Sequence, residues 1–361
     1  MPLLPSLLLL PVLLRLLIDL HAGGLNLFLL FWQAALQPSL DPVLLRSLLG
    51  ALATTLLMAV LSWVISTGAG LVLGLLCSQR VARLFGASGR MSAVLKYLLA
   101  PIRALHELIW GLLLLQLFGL NGWVAVLAIS LPYSALMARV VADQLDNRSS
   151  SAAEALRNGG APAGSTLITA VLPEAASGLL SHSGHRLDCA LRSAVLLGVF
   201  GLGGIGTDLA LSLQSLRFHE VWSGLWVLAT LMLVLDRLRR SPLLLGLLVL
   251  LCLGSASSQL DLTVPQFTQT LLSIPSGQFL PALLETPWAE LIGGTLLVTF
   301  IAAAIAIGLP PLVLLLTLDH RTLRQPLWAL MRLIPVPLTA LLLLLMFQPS
   351  AVLAAIALGP V

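Results

Sequence analysis

The chain has 361 residues, 58% of them hydrophobic and 9% charged, with a mean hydropathy of +1.03. Soluble domains carry about a quarter charged residues, so these values exclude a water-soluble globular protein and indicate a polytopic membrane protein. The net charge of +4 does not mark a nucleic-acid binder, because the basic residues fall in short loops between apolar runs, and Cys77, Cys189 and Cys252 stand singly, which excludes a disulfide framework or a paired-cysteine metal site.

The N-terminus, Met-Pro-Leu-Leu-Pro followed by leucines, lacks the basic start and small-residue cleavage site of a secretory signal. Residues 3–20 therefore read as a retained first helix. A membrane span needs about 20 mainly apolar residues, because every backbone polar group must be satisfied within lipid. Further spans are expected at 51–77, 99–118, 123–142, 174–200, 221–238, 243–253, 291–318, 333–347 and from 351 to the end. Cytoplasmic loops collect Lys and Arg, and four basic clusters fall on the same side of this scheme. They are Arg80, Arg83, Arg90 and Lys96; Arg139, Arg148 and Arg157; Arg237, Arg239 and Arg240; and Arg321, Arg324 and Arg332. The loop at 119–122 carries no base, and 255–290 carries only Asp261, Glu285 and Glu290, so these face the exterior.

An internal duplication is also expected. Residues 49–56 have a counterpart at 292–296, Arg103-Ala104-Leu105 at Arg332-Leu333-Ile334, and 118–129 at 347–358. The organisation is then an N-terminal helix and outer loop (1–45), a main transmembrane domain (46–240) and a partial second repeat (241–361) that stops at Val361, as a truncated or degenerate copy would.

One polar island interrupts the apolar chain. It runs from Glu154-Ala155, through Gly160 six positions after the glutamate, to Leu172-Pro173. Gly159-Gly160 permits a sharp turn with positive φ, which would separate short helices at 151–158 and 162–170, with Pro162 suited to the first turn of the second. Such a knob can seat in a partner's groove and offer Glu154 to a basic residue there; the plain alternative is a solvated loop.

The next helix is unusual for a span, holding His182, His185, Arg186, Asp188 and Arg192. Ionisable groups at membrane depth are costly and mark pathways. His185, Asp188 and Arg192 share a face by helical spacing, with Arg186 about 100° round the helix. Three readings stay open: a translocation path for an anion, internal pairing of the arginines with Asp188, and, least favoured, a metal site on His182, His185 and Asp188. Gly201, Gly203, Gly204 and Gly206 satisfy GxGxxG, yet they follow an apolar helix and not a strand, so a nucleotide fingerprint is rejected and a tight turn or broken helix is expected. His106-Glu107 near Arg103 forms another polar point, and the eight tryptophans read as interface or packing residues.

The string from Arg186-Leu-Asp188-Cys189 through Arg192 and Gly198 to Gly201-Leu-Gly203-Gly204-Ile-Gly206 resembles phosphonate-type permeases of ABC importers. Arg103 to Trp110, Phe118-Gly-Leu-Asn-Gly-Trp and Val234-Leu-Asp236 look similar to the same family, and Glu154, Ala155, Gly160, Leu172 and Pro173 resemble its EAA loop, which docks on the ATPase. Leu187, Leu156 and Leu202 depart from the family's aromatic, alanine and alanine. The resemblance implies an all-α type I ABC importer permease in the bacterial inner membrane, moving a phosphonate or related phosphorus oxyanion by alternating access. It also implies no cofactor of its own, ATP being used by a partner. The implied partners are two copies of an ABC ATPase, a periplasmic binding protein, the lipid bilayer, and a second permease half or a second copy. Rival readings are a methionine or glycine-betaine permease, an ion-coupled secondary transporter with midplane charges, or a non-transporting remnant.

Overall fold

The structure, a computed structural model, describes residues 9–18, 24–148, 151–238, 241–259, 284–316, 336–344, 347 and 350–358. Among these the chain is helical apart from short connections, and no strand occurs. Among the described residues, five helical segments are long and apolar enough to cross a membrane: Pro42–Cys77, Gly122–Asp146, Ala163–Leu202, Phe218–Leu238 and Trp288–Leu309. The protein is a multi-pass, all-α membrane protein. The expected helices at 3–20, 333–347 and 351 to the end are seen in part, as Leu9–Ile18, Val336–Leu344 and Ala351–Leu358. Arg239, Arg240, Asp261, Arg321, Arg324 and Arg332 lie outside the described residues.

The helices that carry the argument are α1 (Leu9–Ile18), α2 (Gly24–Ala34), α3 (Pro42–Cys77), α4 (Gln79–Leu84), α5 (Gly89–Leu98), α6 (Ala100–Ala104), α7 (Glu107–Phe118) and α8 (Gly122–Asp146). They continue as α9 (Ser151–Asn158), α10 (Ala163–Thr166), α11 (Leu172–Leu197), α12 (Ile205–Gln214), α13 (Phe218–Leu238) and α14 (Pro242–Gln259). Single π turns, Leu167–Val171 and Gly198–Leu202, bracket α11.

One expected span is broken. Residues 99–118 divide at Leu105-His106, and Gly89–Ala104 meets Glu107–Phe118 at 83°. The cause is local: His106 has extended backbone and its Nδ1 accepts the Leu108 N–H (3.2 Å), capping a new helix that opens with Glu107. Hydropathy, which averages over the break, registers only one apolar run.

The chain forms two compact units. In the unit of residues 51–206 and 232–268, close approach of α3 to α8 depends on two glycines one turn apart. A Cβ on Gly70 would lie 2.5 Å from Met137 Cβ, and one on Gly74 would lie 2.5 Å from Val141 Cβ. This small-xxx-small spacing lets two backbones pack closely where lipid supplies no hydrophobic drive. Toward the ends of α3 and α8 nearest α4 and α9, Val81, Met137, Val141, Leu145, Ala153, Ala170, Val171 and Ala175 form a buried cluster.

In the unit of residues 1–50, 207–231 and 269–361, one face of α13 holds the end of α2. The last carbonyls of a helix lack intrahelical donors, and here side chains supply them. Trp222 Nε1 donates to Phe31 O in the last turn of α2 (2.7 Å), and just beyond that helix Trp226 Nε1 donates to Ala35 O (3.1 Å) and Ser223 Oγ to Ser39 O (2.8 Å). Phe31 packs edge-on to Phe218 and against the Trp222 ring, forming a buried aromatic cluster. Elsewhere in this unit Leu9 and Val12 pack with Ile305 and Ala355.

Candidate functional site: the helical knob and the polar seam behind it

The 151–173 island folds as helix, turn and helix. At Gly160 φ is +86°, and the closing bonds are Ala161 N–H to Leu156 O (3.0 Å) and Gly160 N–H to Arg157 O (3.0 Å). That pair is a Schellman closure, with Gly160 in the left-handed position where a side chain is strained. A Cβ there would meet nothing within 4 Å, so backbone conformation alone selects glycine. Arg157 Nη1 adds a bond to Ala161 O (3.0 Å). Pro162 caps α10 with extended backbone; it does not sit in the helix's first turn. Glu154, Ala155 and Leu156 are exposed, and Ala153 alone of α9 is buried, rooting the knob in the cluster beneath it. Leu172 and Pro173 are the first residues of α11, Leu172 packed on that cluster and Pro173 exposed.

A hub of charge fixes the scaffold under the knob. Asp146, the last residue of α8, accepts from Ser78 Oγ (2.7 Å) and the Arg80 N–H (3.0 Å) through Oδ1, and from Lys96 Nζ (3.1 Å) through Oδ2. Arg80 donates in turn to Leu145 O (3.2 Å) and pairs with Glu174 in the first turn of α11 (3.5 Å). One carboxylate thus ties the α3–α4 corner and α5 to α8, and Arg80 extends the tie to the helix that continues from the knob.

Farther into the span lie the sequence-predicted path residues of α11. Arg186 Nε donates to His182 Nε2 (3.2 Å), and its guanidinium lies 5.4 Å from the centre of the Tyr133 ring on α8, within cation–π range. His185 and Arg192 are exposed on this chain, Asp188 is half-buried, and His185 Nε2 is 3.7 Å from Cys189 Sγ. His182, His185 and Asp188 do not come together as metal ligands.

Sequence reasoning singled out Glu107 but missed Ser193 and Tyr133, which complete this seam. Ser193 Oγ donates to Glu107 Oε1 (2.6 Å) and lies 2.9 Å from Tyr133 OH. A serine hydroxyl has one hydrogen, so Tyr133 donates to Ser193. The row Glu107, Ser193, Tyr133, Arg186, His182 therefore runs unbroken across α7, α11 and α8. Nearby, Trp63 Nε1 on α3 donates to Ser183 O (2.8 Å). These partners stand 60 to 120 positions apart, so no local spacing reveals them.

The glycine run is a docked break in the helix. Gly201, Gly203 and Gly204 have φ of +92°, +92° and +81°. The Ile205 N–H that opens α12 is held by Thr55 Oγ1 (2.9 Å), and a Cβ on Gly206 would collide with Val195 O.

The described residues thus form an all-α, multi-pass arrangement in which an exposed helical knob runs on into a polar span. Residues 70–240 match the model of the family described as the binding-protein-dependent transport system inner membrane component. Two relatives are similar over about half of this chain. One is the phosphate-import permease protein PhnE of Mycolicibacterium smegmatis, 29% identical over 52% of this chain and 34% of that protein. The other is the phosphite transport system permease protein PtxC of Stutzerimonas stutzeri, 27% identical over 53% of this chain and 68% of that one. The chain thus spans about a third of the first relative's length and about two thirds of the second's. Among solved structures, an inward-facing form of the MetNI methionine ABC transporter is similar over 56% of this chain and 99% of that chain, with 17% identity and a TM-score of 0.47.

Proposed function

We propose that the chain is the permease subunit of an ABC importer and carries a phosphonate or related phosphorus oxyanion inward by alternating access. The observation that carries this reading is the knob: its outer face, Glu154 to Leu156, is exposed, and its second half runs through a π turn directly into α11. A force applied at Glu154 reaches Arg186 along that helix.

In this reading two copies of a separate ATPase hydrolyse ATP and push on the knobs, and a periplasmic binding protein delivers the ligand. A second permease copy or half encloses the faces that present His185 and Arg192, making a cationic cavity for an oxyanion. The ligand must bind the outward and inward states differently for the cycle to have direction. The helix Trp288–Leu316 is read as the counterpart of α3 in a partial second repeat over 241–361. The names of the relatives, phosphate and phosphite permeases, support the substrate class.

The test is reversal of charge at the exposed tip. Glu154→Arg should leave expression and melting temperature unchanged while reducing co-purification of the ATPase about tenfold or more. Undiminished association, together with undiminished stimulation of ATP hydrolysis by loaded binding protein, would remove the docking role.

A further inference from the structure

We infer that α4 to α6 form a lipid-contact element, with α5 lying in the cytoplasmic headgroup layer, its outer face in the acyl boundary and its arginines on anionic phospholipid headgroups. Three observations converge on this. The first is direction: Gly89–Ala104 meets α7 at 83°, and α7 joins α8 through the base-free connection at 119–121. Relative to α7, the segment that contains α5 therefore runs crosswise.

The second is depth. Lys96 on α5 bonds Asp146 (3.1 Å) and approaches Asp143 (3.7 Å). Those carboxylates stand 21 to 24 residues along α8 from Gly122, or about 32 to 36 Å at 1.5 Å per residue. The hydrocarbon core is about 30 Å thick. Lys96 therefore holds α5 just beyond the inner edge of the core.

The third is the division of α5 into two faces. Ser92 and Lys96 point inward, the Ser92 hydroxyl donating to Ser78 O (3.4 Å). Arg90, Met91, Val94, Tyr97 and Leu98 are exposed, and at 100° per residue they fall within an arc of about 120°. Met91 is 74% exposed and Tyr97 78%, and Phe85 at the preceding turn is 56% exposed. Residues 79–105 contain five basic residues and no acid. Arg80 and Lys96 bind within the protein, while Arg83, Arg90 and Arg103 are exposed beside the apolar stripe. An apolar stripe flanked by arginines, set crosswise to α7, fits an anionic bilayer surface. A protein partner recognising it would need a matching acidic, apolar groove.

Spin labels on the full chain test this without reference to transport. On a background in which Cys77, Cys189 and Cys252 are replaced by serine, Val94→Cys and Leu98→Cys are labelled separately. The protein is then placed in vesicles of phosphatidylethanolamine with phosphatidylglycerol. Both labels should collide with oxygen in preference to a water-soluble nickel chelate, at about 5–10 Å below the phosphates. In the unlabelled chain, Arg83→Gln with Arg90→Gln should reduce the phosphatidylglycerol retained after detergent extraction, about fivefold per arginine, with Arg148→Gln as a control that retains it. Free access of the nickel chelate to Val94 would place α5 in water, and shielding from both reagents would place it against protein. Either result overturns the inference, as does unchanged lipid retention in the double variant.

Discussion

The Asp146 carboxylate sits 2.7 Å from the Ser78 hydroxyl, and through this contact the end of one span is locked to the corner that ends another. Ser78 also uses its oxygen to accept the Val81 N–H (3.2 Å), capping α4, so the same hydroxyl starts a helix and anchors it. Asp146→Ala would leave Lys96, Ser78 and the Arg80 N–H without this acceptor. The expected loss is about 3–5 kcal/mol, since hydrogen bonds to charged groups contribute about 1.5–3 kcal/mol each and, although Ser78 is fully buried, Lys96 keeps partial access to water. Asp146→Asn keeps an acceptor for Ser78 and should cost less. Thermal melting of both variants in detergent checks the order.

At Gly160 the requirement is for φ alone. Gly160→Asn should therefore be tolerated, because asparagine enters the left-handed region at small cost, whereas Gly160→Val should cost about 1–2 kcal/mol locally. Both variants should insert and fold, since nothing packs on that position. ATPase stimulation should survive in the asparagine variant and fall in the valine variant; equal activity in the two would mean that the turn does not transmit force.

Two glycines of α3 should respond oppositely to the same change. A Cβ on Gly68 meets nothing within 4 Å, while one on Gly74 meets Val141 at 2.5 Å. Gly68→Ala should be neutral or stabilise by up to about 1 kcal/mol through helix propensity. Gly74→Ala should destabilise by about 1–3 kcal/mol through overpacking. Melting temperatures that move together would contradict the close approach of α3 and α8.

Much of this was legible in the sequence. The apolar runs, the basic loops and the turn at Gly159-Gly160 all depend on neighbours along the chain, and a single sequence displays neighbours. Gly70 and Gly74 also carried a readable small-xxx-small signal that hydropathy alone passes over. The break at Leu105-His106 was hidden because a capping histidine hardly changes an apolar average. Thr55 was visible only as part of a repeat; its bond to the Ile205 N–H joins residues 150 positions apart. Tyr133, Ser193 and Glu107 were illegible as a set for the same reason, and the surrounding helices, not the spacing within α11, decide which of its charges turn inward.

Arg186 and Arg192 should separate packing from transport. Arg186 rests on Tyr133 and His182, so Arg186→Gln should lower stability by about 1–2 kcal/mol. Arg192 is exposed on this chain, and Arg192→Gln should change stability by no more than about 0.5 kcal/mol while reducing uptake about tenfold or more. Asp188→Asn and its combination with Arg192→Gln complete the test. If the double variant recovers both stability and full uptake, the residues form an internal ion pair and not a path.

The central claim is tested most directly by uptake of radiolabelled phosphite, methylphosphonate and phosphate into proteoliposomes that contain this chain and its ATPase, with ATP enclosed or supplied on the ATPase side and loaded binding protein on the other. The account predicts accumulation of at least one of these oxyanions that requires ATP, requires the binding protein and is lost in the Glu154→Arg variant. Accumulation of methionine or glycine betaine in their place, or oxyanion uptake driven by an ion gradient without ATP, would contradict it.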